Sequence, residues 1–151
     1  MKTLGLVALA LVAGGLALAR PISAAPSSTA PAAILAAHGS GYGRILFDRR
    51  GFVLYLFTHD RSRRSLCAGE CANRWPPYVV RRTTKLTAGA GTRRSLIGTT
   101  TRANGTLQVT YAGRPLYRYV GDLKPGQILC QNVSEFGGLW LVVRPTGRPV
   151  R

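Results

Sequence analysis

Acidic residues are scarce in this chain. Only five of its 151 residues are Asp or Glu, and they are widely dispersed along the sequence. General acid–base catalysis needs a poised pair of titratable groups in one cleft, and scattered carboxylates give no sign of one. The sequence also lacks a G-x-S-x-G elbow, a Walker loop and a dinucleotide fingerprint. These absences argue against an enzyme, and we expect no catalytic residue and no cofactor.

Cysteine and histidine are also sparse, with three and two residues. There is no second C-x-x-C pair and no H-E-x-x-H, the spacings typical of zinc sites. Cys67 and Cys71 flank the flexible Gly69, which favours a local disulfide in an oxidising compartment. Because the loop is short, the bridge contributes only about 1–2 kcal/mol. A metal- or redox-handling site made of His59, Cys67 and Cys71 stays open as the weaker alternative, and His59 by itself is expected to be a surface residue beside Asp60.

Long apolar runs are limited to residues 4–19, which follow Lys2. This pattern is typical of a signal peptide and is short for a membrane span of about 20 residues. We predict a signal peptide over residues 1–24, cleaved after Ala24, because Pro26 would hinder a cut directly before it. An uncleaved signal anchor flanked by Arg20 is the alternative. No membrane span is expected after cleavage.

Residues 25–42 are rich in Ala, Pro, Ser and Gly, a composition that predicts a flexible linker. Residues 43–147 are enough for one small domain with one core. Residues 148–151 are predicted to be a basic tail.

One motif occurs twice in the predicted domain. Residues 51–60 and 113–122 both read G-x-x-L-Y-x-[F/Y]-x-x-D, with each position repeated 62 residues later. The repeated positions are Gly51, Leu54, Tyr55, Phe57 and Asp60, and Gly113, Leu116, Tyr117, Tyr119 and Asp122. Such self-similarity indicates a duplicated supersecondary unit. We predict two tandem repeats, about 43–82 and 94–144, that share a core.

The hydrophobic periodicity is that of β-strands. Strands are predicted at 44–48, 52–58 and 78–82 in the first repeat, and at 96–102, 107–111, 116–120 and 139–143 in the second. No window after the signal predicts an amphipathic helix. The predicted fold is mainly β: a compact antiparallel β sandwich or partly closed barrel with pseudo-twofold symmetry.

Alternation along a strand assigns roles to the motif residues. Tyr55 and Phe57 point to one face and Leu54 to the other, and the aromatic pair is repeated by Tyr117 and Tyr119. The motif aspartates, Asp60 and Asp122, fall where strands give way to turns, where a carboxylate accepts backbone N–H bonds. These positions favour a structural role. Proton transfer between a Tyr and an Asp is the catalytic alternative.

Several stretches resemble a known bacterial family. They are C-x-x-x-C-x-x-x-W-P-P at 67–77, N-G-T-L-Q-V-T-Y at 104–111, P-L-Y at 115–117 and G-G-L-W at 137–140. Together with the repeated motif they resemble the secreted-repeat family of unknown function, predicted lipoproteins with a Y-x-[F/W/Y]-x-x-D motif. The resemblance implies export to the periplasm, the cell surface or the medium, and no settled activity.

The chain departs from this family at its cysteines. Many relatives carry a lipidated cysteine after the signal, but the first cysteine here is Cys67, so we expect no lipid anchor. Cys130 stands where relatives have a glycine-rich run. We predict that it is a free thiol, either buried and inert or able to pair between molecules.

The formal charge is +16, and removal of residues 1–24 lowers it to +14 because Lys2 and Arg20 are lost. Such a chain attracts anionic envelope polymers or lipid headgroups, whereas nucleic acid is not expected for an exported protein. A bias in amino-acid composition is the alternative explanation. The sequence therefore predicts an exported, non-catalytic β module that acts by binding or as a structural component.

Overall fold

The computed structural model describes residues 33–39 and 41–151. The predicted signal peptide 1–24, its cleavage after Ala24 and the first part of the predicted linker lie outside the described residues. Within the described part, no helix is long and apolar enough to cross a membrane.

Strands dominate the described residues. In chain order they are β1 (Ala33–Gly39), β2 (Gly43–Asp48), β3 (Tyr55–Phe57), β4 (Val79–Val80), β5 (Thr87–Ala88), β6 (Ile97–Thr101), β7 (Leu107–Tyr111), β8 (Arg114–Pro115), β9 (Val133–Glu135) and β10 (Gly138–Val142). One short helix, α1 (Glu70–Arg74), and one 3-10 turn, Arg94–Leu96, complete the elements.

The strands form three small sheets. Their strand orders are β2-β1-β5, β3-β10-β9 and β4-β7-β6. Strand β8 pairs with the C-terminal end of β7. All pairs are antiparallel except β1 with β5. This confirms the predicted mainly β, antiparallel fold, but the described sheets do not close into a barrel.

Both faces of the sheet around β3 are buried, as the alternation of its residues predicts. On one face Tyr55 and Phe57 pack with Trp75 and Trp140. On the other face lies an aliphatic cluster that includes Leu46, Leu54, Leu56, Leu116 and Leu141. Because two hydrophobic clusters flank one sheet, the side chains of the first motif help to fill both.

The chain reversal before β3 depends on the first motif glycine. Gly51 has a φ of +81°, and a Cβ at this position would lie 3.0 Å from Cβ of Pro125. Asp48 stabilises the same turn, because its Oδ1 accepts the backbone N–H groups of Arg50 at 2.8 Å and Phe52 at 3.0 Å. Glycine is therefore required both by its backbone angle and by the close approach of Pro125.

Backbone pairing reaches segments at both ends of the predicted domain. Strand β1 lies inside residues 25–42, for which composition predicts a linker, and pairs along its length with β2. This pairing uses backbone groups, which composition does not report. At the other end, the predicted basic tail is paired with the strand before it: Pro149 bridges to Val143, and the Val150 N–H donates to Val142 O at 2.9 Å.

Two internal elements differ from the expectations. Residues 116–120 do not form a strand, because Tyr117 bridges singly to two different partners, Tyr55 and Pro77. A helix of five residues, α1, begins inside the Cys67–Cys71 loop, with Glu70 in its first turn and Arg74 in its last. The negative charge near the N-terminus and the positive charge near the C-terminus interact favourably with the helix dipole, and this stabilises so short a helix.

Candidate functional site

The two copies of the motif meet at their tyrosines. The Tyr55 N–H donates to Tyr117 O at 2.9 Å, and the Tyr117 N–H donates to Tyr55 O at 2.9 Å. This exchange of two hydrogen bonds is the arrangement of a hydrogen-bonded antiparallel pair. It brings two fully buried tyrosines to directly opposite backbone positions.

Each motif tyrosine bonds to the aspartate of the other copy. The Tyr55 hydroxyl donates to Asp122 Oδ2 at 2.7 Å, and the Tyr117 hydroxyl donates to Asp60 Oδ2 at 2.6 Å. We call these two contacts the reciprocal Tyr–Asp pairs. They join residues 57 and 67 positions apart in sequence, so the motif acts across the fold rather than locally.

The second oxygen of each aspartate accepts a backbone N–H. Leu66 donates to Asp60 Oδ1 at 2.7 Å, and Leu129 donates to Asp122 Oδ1 at 3.0 Å. The predicted side-chain to backbone bonds are therefore present, and each fixes the loop that follows its motif. The tyrosine donors were not predicted, because contacts across the fold leave no local signal in sequence.

Burial dominates the titration of these groups. It raises the pKa of the Asp60 and Asp122 carboxyls, although the hydrogen bonds from Tyr117, Tyr55 and the backbone act in the opposite direction. Burial and the adjacent carboxyl also raise the pKa of Tyr55 and of Tyr117. Both phenols therefore keep their protons at neutral pH and act as hydrogen-bond donors.

Aromatic rings enclose the reciprocal pairs. Trp75 and Trp140 stack with their ring centroids 4.0 Å apart, and Phe57 stacks on Trp140 at 4.2 Å. Tyr55 meets Trp75 edge-on at 5.2 Å, and Tyr117 meets Trp140 edge-on at 5.1 Å. Both tyrosines are fully buried. This packing encloses both rings and their hydroxyls.

The surroundings of the two pairs differ. Next to Asp60, the Tyr117 hydroxyl also contacts Ser65 Oγ at 2.7 Å. Arg102 donates to Ser65 Oγ at 2.5 Å, to Gln108 Oε1 at 2.7 Å and to the Cys67 carbonyl at 2.6 Å. Ser65, Arg102 and Gln108 lie outside the repeated motif, so comparing the two motif copies could not identify them.

The aromatic residues three positions before each motif aspartate, Phe57 and Tyr119, also differ in their surroundings. Phe57 is buried within the aromatic cluster, whereas Tyr119 is only partly buried and packs against the edge of that cluster. Tyr119 lies beside Cys130 and its ring is 4.7 Å from that of Trp75. Gly113, the second motif glycine, has a φ of +74°, as Gly51 does at the equivalent turn.

The cysteines lie as the disulfide interpretation requires. The sulfurs of Cys67 and Cys71 are 1.95 Å apart, and the residues are only 1% and 6% exposed. Cys130 is a half-buried free thiol whose pKa is raised, mainly by burial. His59 is exposed, with its ring against Phe57. Bonded cysteines offer no thiolate to a metal, and no cluster of three potential metal ligands occurs in the described residues, so the metal or redox alternative gains no support.

The few acidic side chains are largely withdrawn from the surface. Asp48, Asp60 and Asp122 are buried, and Asp48 forms an ion pair with Arg118. Glu135 accepts a hydrogen bond from Trp75 Nε1 at 2.9 Å, which leaves Glu70 as an exposed acid. The paired and neighbouring arginines of the sequence are exposed: Arg49, Arg50, Arg61, Arg63, Arg64, Arg81, Arg82, Arg93 and Arg94. The described surface is therefore strongly cationic.

This arrangement defines a small β module with an interlocked core and a basic exterior. Residues 98–144 match the family model described as a secreted repeat of unknown function. The match confirms the family resemblance over the second copy of the motif and strand β10. Comparison with curated proteins gives no match, and comparison with solved structures gives none either.

Proposed function

We propose that this protein is an exported, non-catalytic β module of the bacterial envelope that contacts anionic partners through its surface. The reciprocal Tyr–Asp pairs carry this proposal. In them, the side chains that would be needed for proton transfer are bonded to one another and buried. The role of the motif is therefore to fasten the core, and the function belongs to the exterior.

A tandem duplication underlies the core. The same bonds occur twice with the partners exchanged: tyrosine to aspartate, tyrosine backbone to tyrosine backbone, and aspartate to a backbone N–H six or seven residues later. An exchange of this kind is what a pseudo-twofold axis between the two tyrosines produces. It supports two repeats, about 43–82 and 94–144, that share a core.

The partners are anionic polymers of the envelope or lipid headgroups. The charge supports this: with three of the five acids buried, the surface offers almost no negative charge to offset its arginines. A surface of one sign attracts and concentrates partners of the other. The family description as secreted supports partners that are met after export, in the periplasm, on the cell surface or outside the cell.

Salt dependence tests this function. The exported protein should be retained by vesicles of phosphatidylglycerol and phosphatidylcholine, or by an anionic polymer, but not by phosphatidylcholine alone. Retention should be lost as salt rises across about 0.1 to 0.5 M, because screening shortens the Debye length from roughly 10 Å to a few Å. Retention that ignores salt, or no retention on any anionic surface at low salt, would contradict the proposal.

A further inference from the structure

We propose that one arginine-lined depression is a binding site for the phosphate groups of an anionic polymer. The proposal rests on the function proposed above and assigns it a place and a chemistry. The depression has a volume of about 610 Å³ and is lined by Arg114, Arg144, Thr146, Arg148, Pro149 and Arg151. This volume is within the range of ligand sites in proteins, about 300–1,000 Å³.

Two turns that pack on each other build the depression. Arg114 follows the turn between β7 and β8. Arg144 and Arg148 flank a second turn, in which the Arg144 N–H donates to Arg148 O and the Gly147 N–H donates to Arg144 O, both at 2.8 Å. This pairing brings the backbones of Arg144 and Arg148 side by side, so their side chains extend from neighbouring positions on the surface.

The second turn is held against the first. The buried Tyr111 hydroxyl donates to the Pro145 carbonyl at 2.7 Å. Gly147 has a φ of +87°, and a Cβ at this position would lie 2.4 Å from Cβ of Ala112. A fixed backbone beneath the arginines lowers the entropy that binding must remove.

The chemistry of the lining selects phosphate. Four of its six residues are arginines, Thr146 adds a hydroxyl, and no acidic side chain lines the depression. Each guanidinium presents a planar fork of N–H donors that pairs with two oxygens of one phosphate. Several such forks around one cavity suit a ligand with repeated phosphate groups rather than a single charge.

The same lining favours a polymer over a bilayer. Membrane attachment combines charge with the burial of apolar side chains, and apart from the aliphatic stems of its arginines the only apolar side chain of the depression is that of Pro149. The most exposed large apolar side chains, Leu123 and Leu129, do not line it. We therefore assign the site to a phosphate polymer in solution or in the wall, and not to a lipid headgroup.

A charge-matched pair of variants tests the site, with long-chain inorganic polyphosphate as the probe at fixed ionic strength. The Arg144→Gln/Arg148→Gln variant should bind at least about tenfold more weakly than the parent, since tenfold corresponds to only 1.4 kcal/mol. The control, Arg61→Gln/Arg64→Gln, removes the same charge from another exposed turn and should weaken binding far less. Arg144→Lys/Arg148→Lys keeps the charge but loses the forks, and should fall between them. Unchanged circular dichroism and thermal unfolding establish that the variants fold.

Each other outcome overturns part of the proposal. Equal weakening by both glutamine variants would show that total charge, not this depression, binds the probe. Polyglutamate binding as tight as polyphosphate would remove the selectivity for phosphate. Parent protein that binds phosphatidylglycerol vesicles but not polyphosphate would refute this site and leave the proposed function standing. Parent protein that binds neither would refute both.

Discussion

At the scale of single residues, two phenol oxygens distinguish this core from an ordinary aromatic cluster. The hydroxyls of Tyr55 and Tyr117 are donors to buried carboxyls. Removing a hydroxyl leaves a buried acceptor short of one partner, whereas removing the whole ring also opens a cavity. The two kinds of substitution therefore separate the polar role of the motif tyrosine from its packing.

We predict that Tyr55→Phe and Tyr117→Phe each lower the free energy of unfolding by about 1–3 kcal/mol. Tyr55→Ala or Tyr117→Ala should cost about 3–5 kcal/mol, a large share of the stability of a small domain. Urea unfolding measures these changes, with Tyr42→Phe as the control. Folded alanine variants that have lost only a binding activity would contradict the structural role.

Double-mutant cycles sharpen the same prediction. Tyr55→Phe should couple with Asp122→Asn and add independently to Asp60→Asn, because only the first two residues are bonded. The reverse holds for Tyr117. Coupling within a copy rather than between copies would contradict the reciprocal arrangement.

The motif carboxyls also predict a pH dependence. Burial raises the pKa of Asp60 and of Asp122 above the ordinary 3.8. The native state therefore holds protons that the unfolded chain releases, so the stabilisation is complete below pH 3.8 and is lost as pH rises through the native pKa. The Asp60→Asn substitution should remove the part of this pH-dependent loss of stability that Asp60 causes.

Unfolding at constant ionic strength across the acid range measures this effect. The parent protein should lose stability relative to Asp60→Asn as pH rises. If instead the parent gained stability relative to the variant, the hydrogen bonds from Tyr117 and Leu66 would outweigh burial, and the native pKa would lie below the ordinary value.

At the scale of elements, the cysteine loop and α1 act together. Cys71 lies in α1, and the Trp75 N–H donates to Cys71 O at 2.7 Å directly after the helix. The crosslink therefore lies one turn from the tryptophan that stacks on Trp140. Because the bonded loop is short, its value is in placing Trp75 rather than in reducing the entropy of the unfolded chain.

Peptide mapping without reduction tests the cysteine assignment. We predict one linked peptide that contains Cys67 and Cys71, and alkylation of Cys130 in the unfolded, unreduced protein. Reduction before alkylation should label all three and serves as the control. A crosslink from Cys130 to either residue, or reduced thiols in the loop of the exported protein, would restore the metal or redox alternative.

The sequence predicts the elements whose side chains alternate over several residues. Strands β2, β7 and β10 lie close to their predicted bounds. The two-residue strands β5 and β8 are too short to show a hydrophobic period. Strand β1 is defined by its backbone pairing with β2 in an alanine-rich segment. Residues 116–120 have a strand-like pattern, but Tyr117 bridges to two different partners, so no ladder forms.

The candidate site follows the same division. The motif residues and the cysteine pair could be identified because they repeat or lie close together in sequence. Ser65, Arg102 and the arginine-lined depression could not, because loops far apart in sequence bring them together. Asp48 also lies outside the motif, although its position beside Gly51 is typical of a turn residue.

At the scale of the whole molecule, charge is sorted by depth. Three of the five acids are inside, bonded to tyrosine, backbone or Arg118, while the arginine clusters lie in exposed turns. In the interior, carboxyl groups accept hydrogen bonds, whereas the surface presents the N–H donors of arginine side chains. The net charge of the chain thus understates how positive the surface is.

The reciprocal Tyr–Asp pairs also constrain the order in which the chain can fold. Asp60 accepts its hydrogen bond from Tyr117, and Tyr55 donates its hydrogen bond to Asp122. An N-terminal fragment ending before Tyr117 would have to bury a carboxyl without its donor, which disfavours a folded half-molecule. The segment that carries the first copy of the motif therefore stays open until the second copy is available. In a chain that crosses a membrane from its N-terminal end, this delay keeps the emerging segment unfolded until most of the domain has passed through.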